Sequence, residues 1–121
     1  MGEFGTTTGS GEPYREKRAV PRFMFIATVD IIEPISEVHI SGRISEISRK
    51  GCYVDIMMPP PPGTMLKVRI YRDAGAFETN GKIVYIHERI GMGVAFLDTP
   101  EDQLKVLDTW LAELPPASEI R

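Results

Sequence analysis

A short basic segment carries the first group of side chains that could do chemistry. Residues 15–22 contain four basic residues and one acid, within a chain whose formal net charge is -3. Arginine presents paired, planar donors to phosphate, and its flat face stacks on a base. The basic side chains that could hold a ligand here are Lys17, Arg18 and Arg22. A basic patch on an acidic body suits a small anionic ligand better than a polymer, and the alternative interpretation is a solvated tail.

A second group of polar residues lies in one predicted turn further along the chain. Residues 46–51, EISRKG, place the carboxylate of Glu46, the hydroxyl of Ser48 and the backbone of Gly51 within that turn. A carboxylate accepts hydrogen bonds from N–H groups such as those on the edge of guanine, and backbone N–H groups beside a hydroxyl form an anion nest. A fold that brings the turn and the basic segment together would build a pocket for an anionic ligand with a polar, planar edge.

Other kinds of site lack their sequence signatures. The single cysteine, Cys52, excludes an internal disulfide and fits a reducing compartment, and there is no CxxC pair or HExxH helix to hold a metal. No GxSxG elbow accompanies His39 or His87, and Gly91-Met92-Gly93 lacks the third glycine of a dinucleotide loop. We therefore expect no metal centre, no cofactor and no enzymatic activity, and the net acidic balance argues against nucleic-acid binding as the function.

The chain is expected to form one domain. Residues 1–14 are rich in Gly, Thr and Ser and predict a disordered leader, residues 15–114 the folded domain, and residues 115–121 a frayed tail. No apolar run is long enough to span a bilayer, and the N-terminus lacks the apolar region of a signal peptide. A cytoplasmic protein is the expectation.

Alternating apolar residues predict six short strands, and turn residues separate them. Gly42 inside the second strand indicates a bulge or the bend of a closed barrel, and Asn80-Gly81 in the fifth indicates a turn or bulge. Closure into a barrel would remove exposed sheet edges, which predicts an all-β fold. The predicted strands cover residues 23–32, 38–47, 52–56, 65–71, 77–87 and 91–97.

One helix is predicted after the last strand. Thr99 is placed at its N-cap and Pro100 at its first position, and Pro115 ends it. A stripe of apolar residues with helical spacing should dock on the barrel, and Trp110 flanks this stripe. The stripe consists of Leu104, Leu107, Leu111 and Leu114.

The two motifs, in this order, resemble those of the PilZ domain family. That family has an RxxxR motif ahead of its first strand and a [D/N]xSxxG turn after it. Residues 18–22, RAVPR, match the first motif, with Lys17 as an additional basic residue, and EISRKG matches the second at Ser48 and Gly51. The strand GMGVAF and the helix that follows it also look like the end of a PilZ domain, so the resemblance covers about residues 15–114.

The resemblance implies a six-stranded antiparallel β-barrel with a C-terminal helix, and a cytoplasmic bacterial receptor for cyclic di-GMP. Arg18 and Arg22 would contact phosphates and stack on or bond to guanine, with Lys17 assisting. Ser48 and Gly51 would shape the turn around the ligand. The chain would be a monomer or a ligand-induced dimer, and its signal would pass to a downstream protein that the sequence does not identify.

One residue departs from the family pattern, because Glu46 stands where the family has Asp or Asn. Its carboxylate is one methylene further from the backbone and must fold back to reach the same guanine edge. A displaced hydrogen bond to a charged group costs about 1.5–3 kcal/mol, or roughly ten- to a hundredfold in affinity. The alternative function is a degenerate adaptor that has lost the nucleotide and acts by protein contacts, which an exposed apolar patch around Met57, Met58 or Trp110 would favour.

The turn residues also have purely structural interpretations. Ser48 and Gly51 could form a tight turn, with Gly51 at positive φ. Glu46 could pair on the surface with Arg43 or Lys50.

Overall fold

A computed structural model describes residues 20–115 of the 121-residue chain. The predicted leader, Lys17 and Arg18 lie outside the described residues, as do residues 116–121 of the predicted tail. Six strands and one helix follow each other: β1 (Arg22–Glu33), β2 (Val38–Ser48), β3 (Gly51–Asp55), β4 (Met65–Arg72), β5 (Gly75–His87), β6 (Gly91–Leu97) and α1 (Glu101–Ala112). Every strand lies within two residues of its predicted bounds.

The six strands close into a barrel in which every neighbouring pair is antiparallel. Their order around the barrel is β1-β2-β3-β6-β5-β4. This confirms the predicted six-stranded antiparallel barrel with a C-terminal helix. Alternate side chains point inward and lose contact with water, which is the main favourable term in folding. The buried barrel residues include Val29, Ile31, Ile44, Ile47, Val54, Leu66, Val68, Ile70, Phe77, Ile83, Met92 and Val94.

The bulges do not lie at Gly42 or at Asn80-Gly81, where the sequence indicated them. Gly42 pairs regularly with Val29, and Asn80-Gly81 continues β5 opposite β4. The registers shift instead between Met24 and Ala27 in β1, at Ser45 in β2 and at Val84 in β5. Gly81 is needed for a different reason: a Cβ there would lie 2.8 Å from the Val94 side chain. Gly81 therefore reflects close packing against a neighbouring strand and not a bulge, and both are common reasons for a glycine within a strand.

Helix α1 docks on the barrel through Leu107 and Trp110, which are both buried. The Trp110 ring lies 5.8 Å from the Phe25 ring and 6.3 Å from the Phe77 ring, between centroids. Trp110 is thus at the centre of the apolar stripe, where the sequence placed it at the flank. An exposed apolar patch here would have favoured the adaptor hypothesis; Trp110 is buried, whereas Met57 and Met58 are exposed.

The start of α1 differs from the prediction. Pro100 occupies the N-cap position and no side chain caps the helix. The Thr99 hydroxyl instead lies 2.7 Å from the hydroxyl of Thr79, a buried residue of β5. The Thr79 hydroxyl also lies 3.1 Å from the carbonyl oxygen of Asn80, so Thr99 adds a second partner to this buried group and does not cap the helix. Within residues 20–115 no helix is long and apolar enough to cross a membrane.

Replacing Trp110 by alanine tests the docking of α1. We expect Trp110→Ala to lower the free energy of unfolding by about 3–5 kcal/mol, because a buried aromatic ring is lost and leaves a cavity. Urea unfolding followed by circular dichroism measures the change. The exposed Lys105 of the same helix is the control, and Lys105→Ala should change stability by less than about 0.5 kcal/mol. A small effect of Trp110→Ala would contradict this packing.

Candidate functional site

The pairing of β1 with β2 brings Arg22, the last residue of the basic segment, to the predicted turn. Arg22, the first residue of β1, lies opposite Ser48, the last residue of β2. Glu46 lies two residues earlier on β2, opposite Met24. The bulge at Ser45 resets the alternation of β2, so that Ile44 and Ile47 are both buried while Glu46 stays accessible. Arg22, Glu46, Ser48 and Gly51 are therefore neighbours in the fold.

Arg22 and Glu46 form an ion pair. The distance from Arg22 Nη1 to Glu46 Oε1 is 3.1 Å, and the two side chains are 36% and 33% exposed. Arg43 pairs instead with Asp55, with Nε 3.1 Å from Oδ2. The suggestion that Glu46 pairs with Arg43 was therefore wrong. A partly exposed ion pair of this kind contributes about 0–1 kcal/mol to stability. Both side chains can therefore exchange this contact for another at little cost.

The Ser48 hydroxyl is used by the turn itself. It accepts a hydrogen bond from the backbone N–H of Lys50 at 3.1 Å and donates to the carbonyl oxygen of Gly51 at 3.4 Å. Side chains of serine stabilise turns in this way by replacing a backbone contact. Ser48 therefore fixes the shape of the turn between β2 and β3, in agreement with the structural interpretation of this residue.

Gly51 is required by a neighbouring strand and not by its backbone angles. Among the described glycines, only Gly63 has a positive φ, so the suggestion of positive φ at Gly51 was wrong. A Cβ on Gly51 would lie 2.2 Å from the carbonyl oxygen of Val94 in β6. Only glycine lets β6 come this close to the turn.

A pocket of about 170 Å³ lies beside these residues. Pockets that enclose a whole small-molecule ligand usually measure about 300–1,000 Å³, so the described residues would cover one side of a nucleotide. The wall of the pocket includes the cationic side chains of Arg22 and Lys50 and the carboxylate of Glu46. An anion would therefore meet net positive charge at the pocket wall. Other lining residues are Ile47, Ser48, Gly51, Cys52, Tyr53, Val84, Tyr85, Gly93, Val94 and Ala95.

Two tyrosines of this wall were not identified from the sequence. Tyr53 and Tyr85 have ring centroids 6.3 Å apart, and the Tyr53 hydroxyl lies 2.8 Å from His87 Nδ1. Strict alternation would place Val84 and Tyr85 on opposite faces of the strand. The bulge at Val84 instead turns both of them outward. Burial, with Tyr85 and Asp55 nearby, raises the pKa of Tyr53 above its ordinary value. Lys50 is also part of the pocket wall, and the sequence did carry a signal for it, because Lys50 lies inside the turn motif at residues 46–51.

The Cys52 side chain packs in the core of the barrel. Cys52 is buried, and that burial raises the pKa of its thiol to about 12, so it packs as a small apolar side chain. Among residues 20–115 no three His, Cys, Asp or Glu side chains are grouped as metal ligands.

Replacing Gly51 by alanine tests the close approach of β6. We expect Gly51→Ala to lower the free energy of unfolding by about 1–3 kcal/mol, because the methyl group meets backbone that cannot rotate away. Chemical denaturation measures the loss. Gly75→Ala is the matched control, since its Cβ would lie 3.7 Å from its nearest neighbour, the Arg72 carbonyl oxygen. Equal stability of the two variants would show that β6 yields easily.

Comparison with known proteins identifies the family. A family model described as "PilZ domain" matches residues 16–113. A search of curated proteins found no match. The PilZ domain of YcgR from Escherichia coli, solved with c-di-GMP, superposes with a TM-score of 0.67 at 13% identity, and covers 81% of this chain and 91% of that chain.

Two further structures show the same fold. The PilZ domain of CeSA from a cellulose-synthesizing bacterium gives a TM-score of 0.63 at 17% identity, covering 76% of this chain and 98% of that chain. The Bacillus subtilis inhibitor of motility, MotI/DgrA, gives 0.65 at 17% identity, covering 79% of this chain. The alignment spans only 52% of MotI/DgrA. The match of the family model over most of the sequence, together with this barrel, shows that the chain belongs to the PilZ domain family.

Proposed function

We propose that this domain is a cytoplasmic receptor for cyclic di-GMP. The observation that carries the proposal is the β1–β2 register, which sets Arg22 beside Glu46 and the 46–51 turn at the edge of one pocket. Membership of the PilZ family supports it, as does the YcgR domain solved with c-di-GMP. The domain would act by binding and not by catalysis, and its output would go to a downstream protein.

Each site residue has a distinct part in the proposed complex. Arg22, with Arg18 and Lys17 from the preceding segment, holds the phosphates and stacks on a guanine. Glu46 accepts hydrogen bonds from the guanine N–H edge. Ser48 and Gly51 hold the turn in shape.

Lys50 and Tyr85 add to the site as it was predicted from the sequence. Both line the pocket next to Arg22 and Glu46. Lys50 contributes a second positive charge at the turn, and the Tyr85 ring offers a flat surface to a base.

The ligand would have to replace the ion pair between Arg22 and Glu46. That pair is worth about 0–1 kcal/mol because it is partly solvated. A charge-assisted hydrogen bond from arginine to phosphate contributes about 1.5–3 kcal/mol, so the exchange favours the ligand. Glu46, once released, turns its carboxylate to the guanine edge. The ion pair in the free protein therefore keeps both groups at the pocket without locking them there.

Calorimetry with the purified protein tests the receptor function. We expect cyclic di-GMP to bind with micromolar or tighter affinity, and GTP not to compete at equal concentration. Arg22→Ala should weaken binding by at least about tenfold, because one or more charge-assisted bonds to phosphate are lost. Arg43→Ala is the matched control: it also removes a strand arginine paired with a carboxylate, but Arg43 is not part of the pocket.

Absence of heat from the folded wild-type protein would contradict the receptor function. Equal binding by the Arg22 and Arg43 variants would contradict the assignment of Arg22. Circular dichroism of each variant shows that the barrel is intact in either case.

A conservative change at Glu46 tests its part in base recognition. We expect Glu46→Gln to weaken binding about tenfold, because an amide presents one acceptor oxygen where the carboxylate presents two. Glu46→Asp, which restores a family residue, should keep binding. The same titration measures both. Tighter binding by Glu46→Gln would mean that Glu46 competes with phosphate for Arg22 and does not contact guanine.

A further inference from the structure

Three aromatic rings stand together on the outer face of the barrel, beside the pocket. They belong to Tyr53 of β3 and to Tyr85 and His87 of β5. The His87 ring centroid lies 5.8 Å from that of Tyr53 and 5.3 Å from that of Tyr85. Tyr53 and Tyr85 line the pocket, whereas His87 does not. His87 thus neighbours two residues of the pocket wall without being part of that wall.

Two glycines of β6 make room for the tyrosine rings. Gly91 and Gly93 are both buried. A Cβ on Gly91 would lie 2.5 Å from Cε2 of Tyr53, and a Cβ on Gly93 would lie 2.3 Å from Cε2 of Tyr85. Both distances are too short for a real contact, so only glycine lets each ring pack on the β6 backbone. The two glycines around Met92, which form no dinucleotide loop, therefore help to place the rings of the pocket wall.

One hydrogen bond joins His87 to the pocket wall. The Tyr53 hydroxyl lies 2.8 Å from His87 Nδ1. We assign the neutral imidazole the tautomer with its proton on Nε2, so that the phenol donates and Nδ1 accepts. A protonated imidazole carries a proton on both nitrogens, so Nδ1 then donates and the phenol oxygen accepts. The charge of His87 therefore sets the direction of this hydrogen bond.

Reversal of this hydrogen bond changes what the pocket offers to a ligand. While the Tyr53 hydroxyl donates to Nδ1, its proton is not available to another acceptor. Once His87 is protonated, the hydroxyl proton is released and can turn to a new acceptor, and a phosphate oxygen is a strong one. The imidazolium also adds a positive charge on the same face of the barrel. Both changes favour an anion in the pocket.

The charged groups around His87, besides the two tyrosines, come from the elements on either side of it. β3 contributes Asp55, whose carboxylate pairs with Arg43 at 3.1 Å, and the loop after β3 has no ionisable side chain. Glu88 and Arg89 follow His87 in the chain, and both are exposed. β6 contributes no ionisable group here, because a glycine lies opposite His87. The neighbouring charges thus nearly cancel, and His87 is the group of this face that gains a charge as the pH falls below neutral.

We propose that His87 is a positioning residue of the nucleotide pocket, which holds the Tyr53 hydroxyl at neutral pH and releases it to an anionic ligand when the imidazole is protonated. The inference rests on the proposed function, since the ligand is the same nucleotide. The affinity for cyclic di-GMP then rises as the pH falls from about 8 to about 5.5, the range in which histidine gains its proton. The gain is about two- to tenfold, which corresponds to one additional hydrogen bond.

Calorimetric titration with cyclic di-GMP at about pH 5.5, 6.5 and 8 tests the proposal. The wild-type protein should bind about two- to tenfold more tightly at the lowest pH. His87→Gln and Tyr53→Phe should each lose most of this pH dependence, because the first removes the titrating ring and the second removes the hydroxyl that it releases. The chain has only two histidines, so His39→Gln is the matched control. His39 lies on β2 outside the pocket, and this variant should keep the pH dependence of the wild type.

A second measurement needs no nucleotide. The ¹⁵N spectrum of the histidine rings at about pH 8 should show the His87 proton on Nε2 and a hydrogen-bonded Nδ1, which Tyr53→Phe should alter. A proton on Nδ1 would overturn the proposal, as would a wild-type affinity that does not change with pH or a pH dependence that persists in His87→Gln. These results leave the receptor function intact, whereas a wild-type protein that binds no cyclic di-GMP at any pH overturns both. Circular dichroism at each pH shows that every variant is folded.

Discussion

The pairing register between β1 and β2 is the constraint on which both the core and the pocket depend. Side chains alternate between the faces of a strand, so a slip by one residue would turn the buried face to water. In the observed register Ile31 lies opposite Ile40, and Arg22 lies opposite Ser48. Each buried aliphatic side chain contributes about 1.5–3 kcal/mol, whereas the ion pair of Arg22 contributes at most about 1 kcal/mol. Burial sets the register beyond Ala27, and together with the register shift between Met24 and Ala27 it fixes the position of Arg22 at the turn.

Much of this fold could be predicted because alternation of apolar residues is a strong local signal. The strands and the barrel were found in this way, and the stripe that includes Leu107 indicated the helix. The bulges at Ser45 and Val84 could not be placed, because they depend on how neighbouring strands pair and not on the residue that is inserted. Thr99 was misassigned for a similar reason: its partner, Thr79, is 20 residues away in the sequence.

The candidate site was predictable where spacing carries the information. Order and separation of two short motifs identified Arg22, Glu46, Ser48 and Gly51 together. The sequence could not reveal that Gly51 is required by the Val94 carbonyl, since that contact joins two strands distant in the chain. It also could not show Tyr85 in the pocket wall, because the Val84 bulge decides which way that ring points.

The turn of the pocket is physically joined to helix α1. Arg49 donates from Nε to Asp108 Oδ1 at 2.9 Å and from Nη2 to Oδ2 at 3.5 Å, while the Phe96 N–H donates to the Lys50 carbonyl at 2.8 Å. The Phe96 bond ties the turn to β6, and the exposed Arg49–Asp108 pair couples the turn to the helix by about 0–1 kcal/mol. Suppose that a partner bound to α1 changes the affinity of the pocket for its ligand by some factor. By thermodynamic linkage, the bound ligand then changes the affinity of α1 for that partner by the same factor. A protein that bound the Asp108 face and changed the Arg49 contact would therefore respond to a ligand in the pocket and would also change how tightly the pocket binds it.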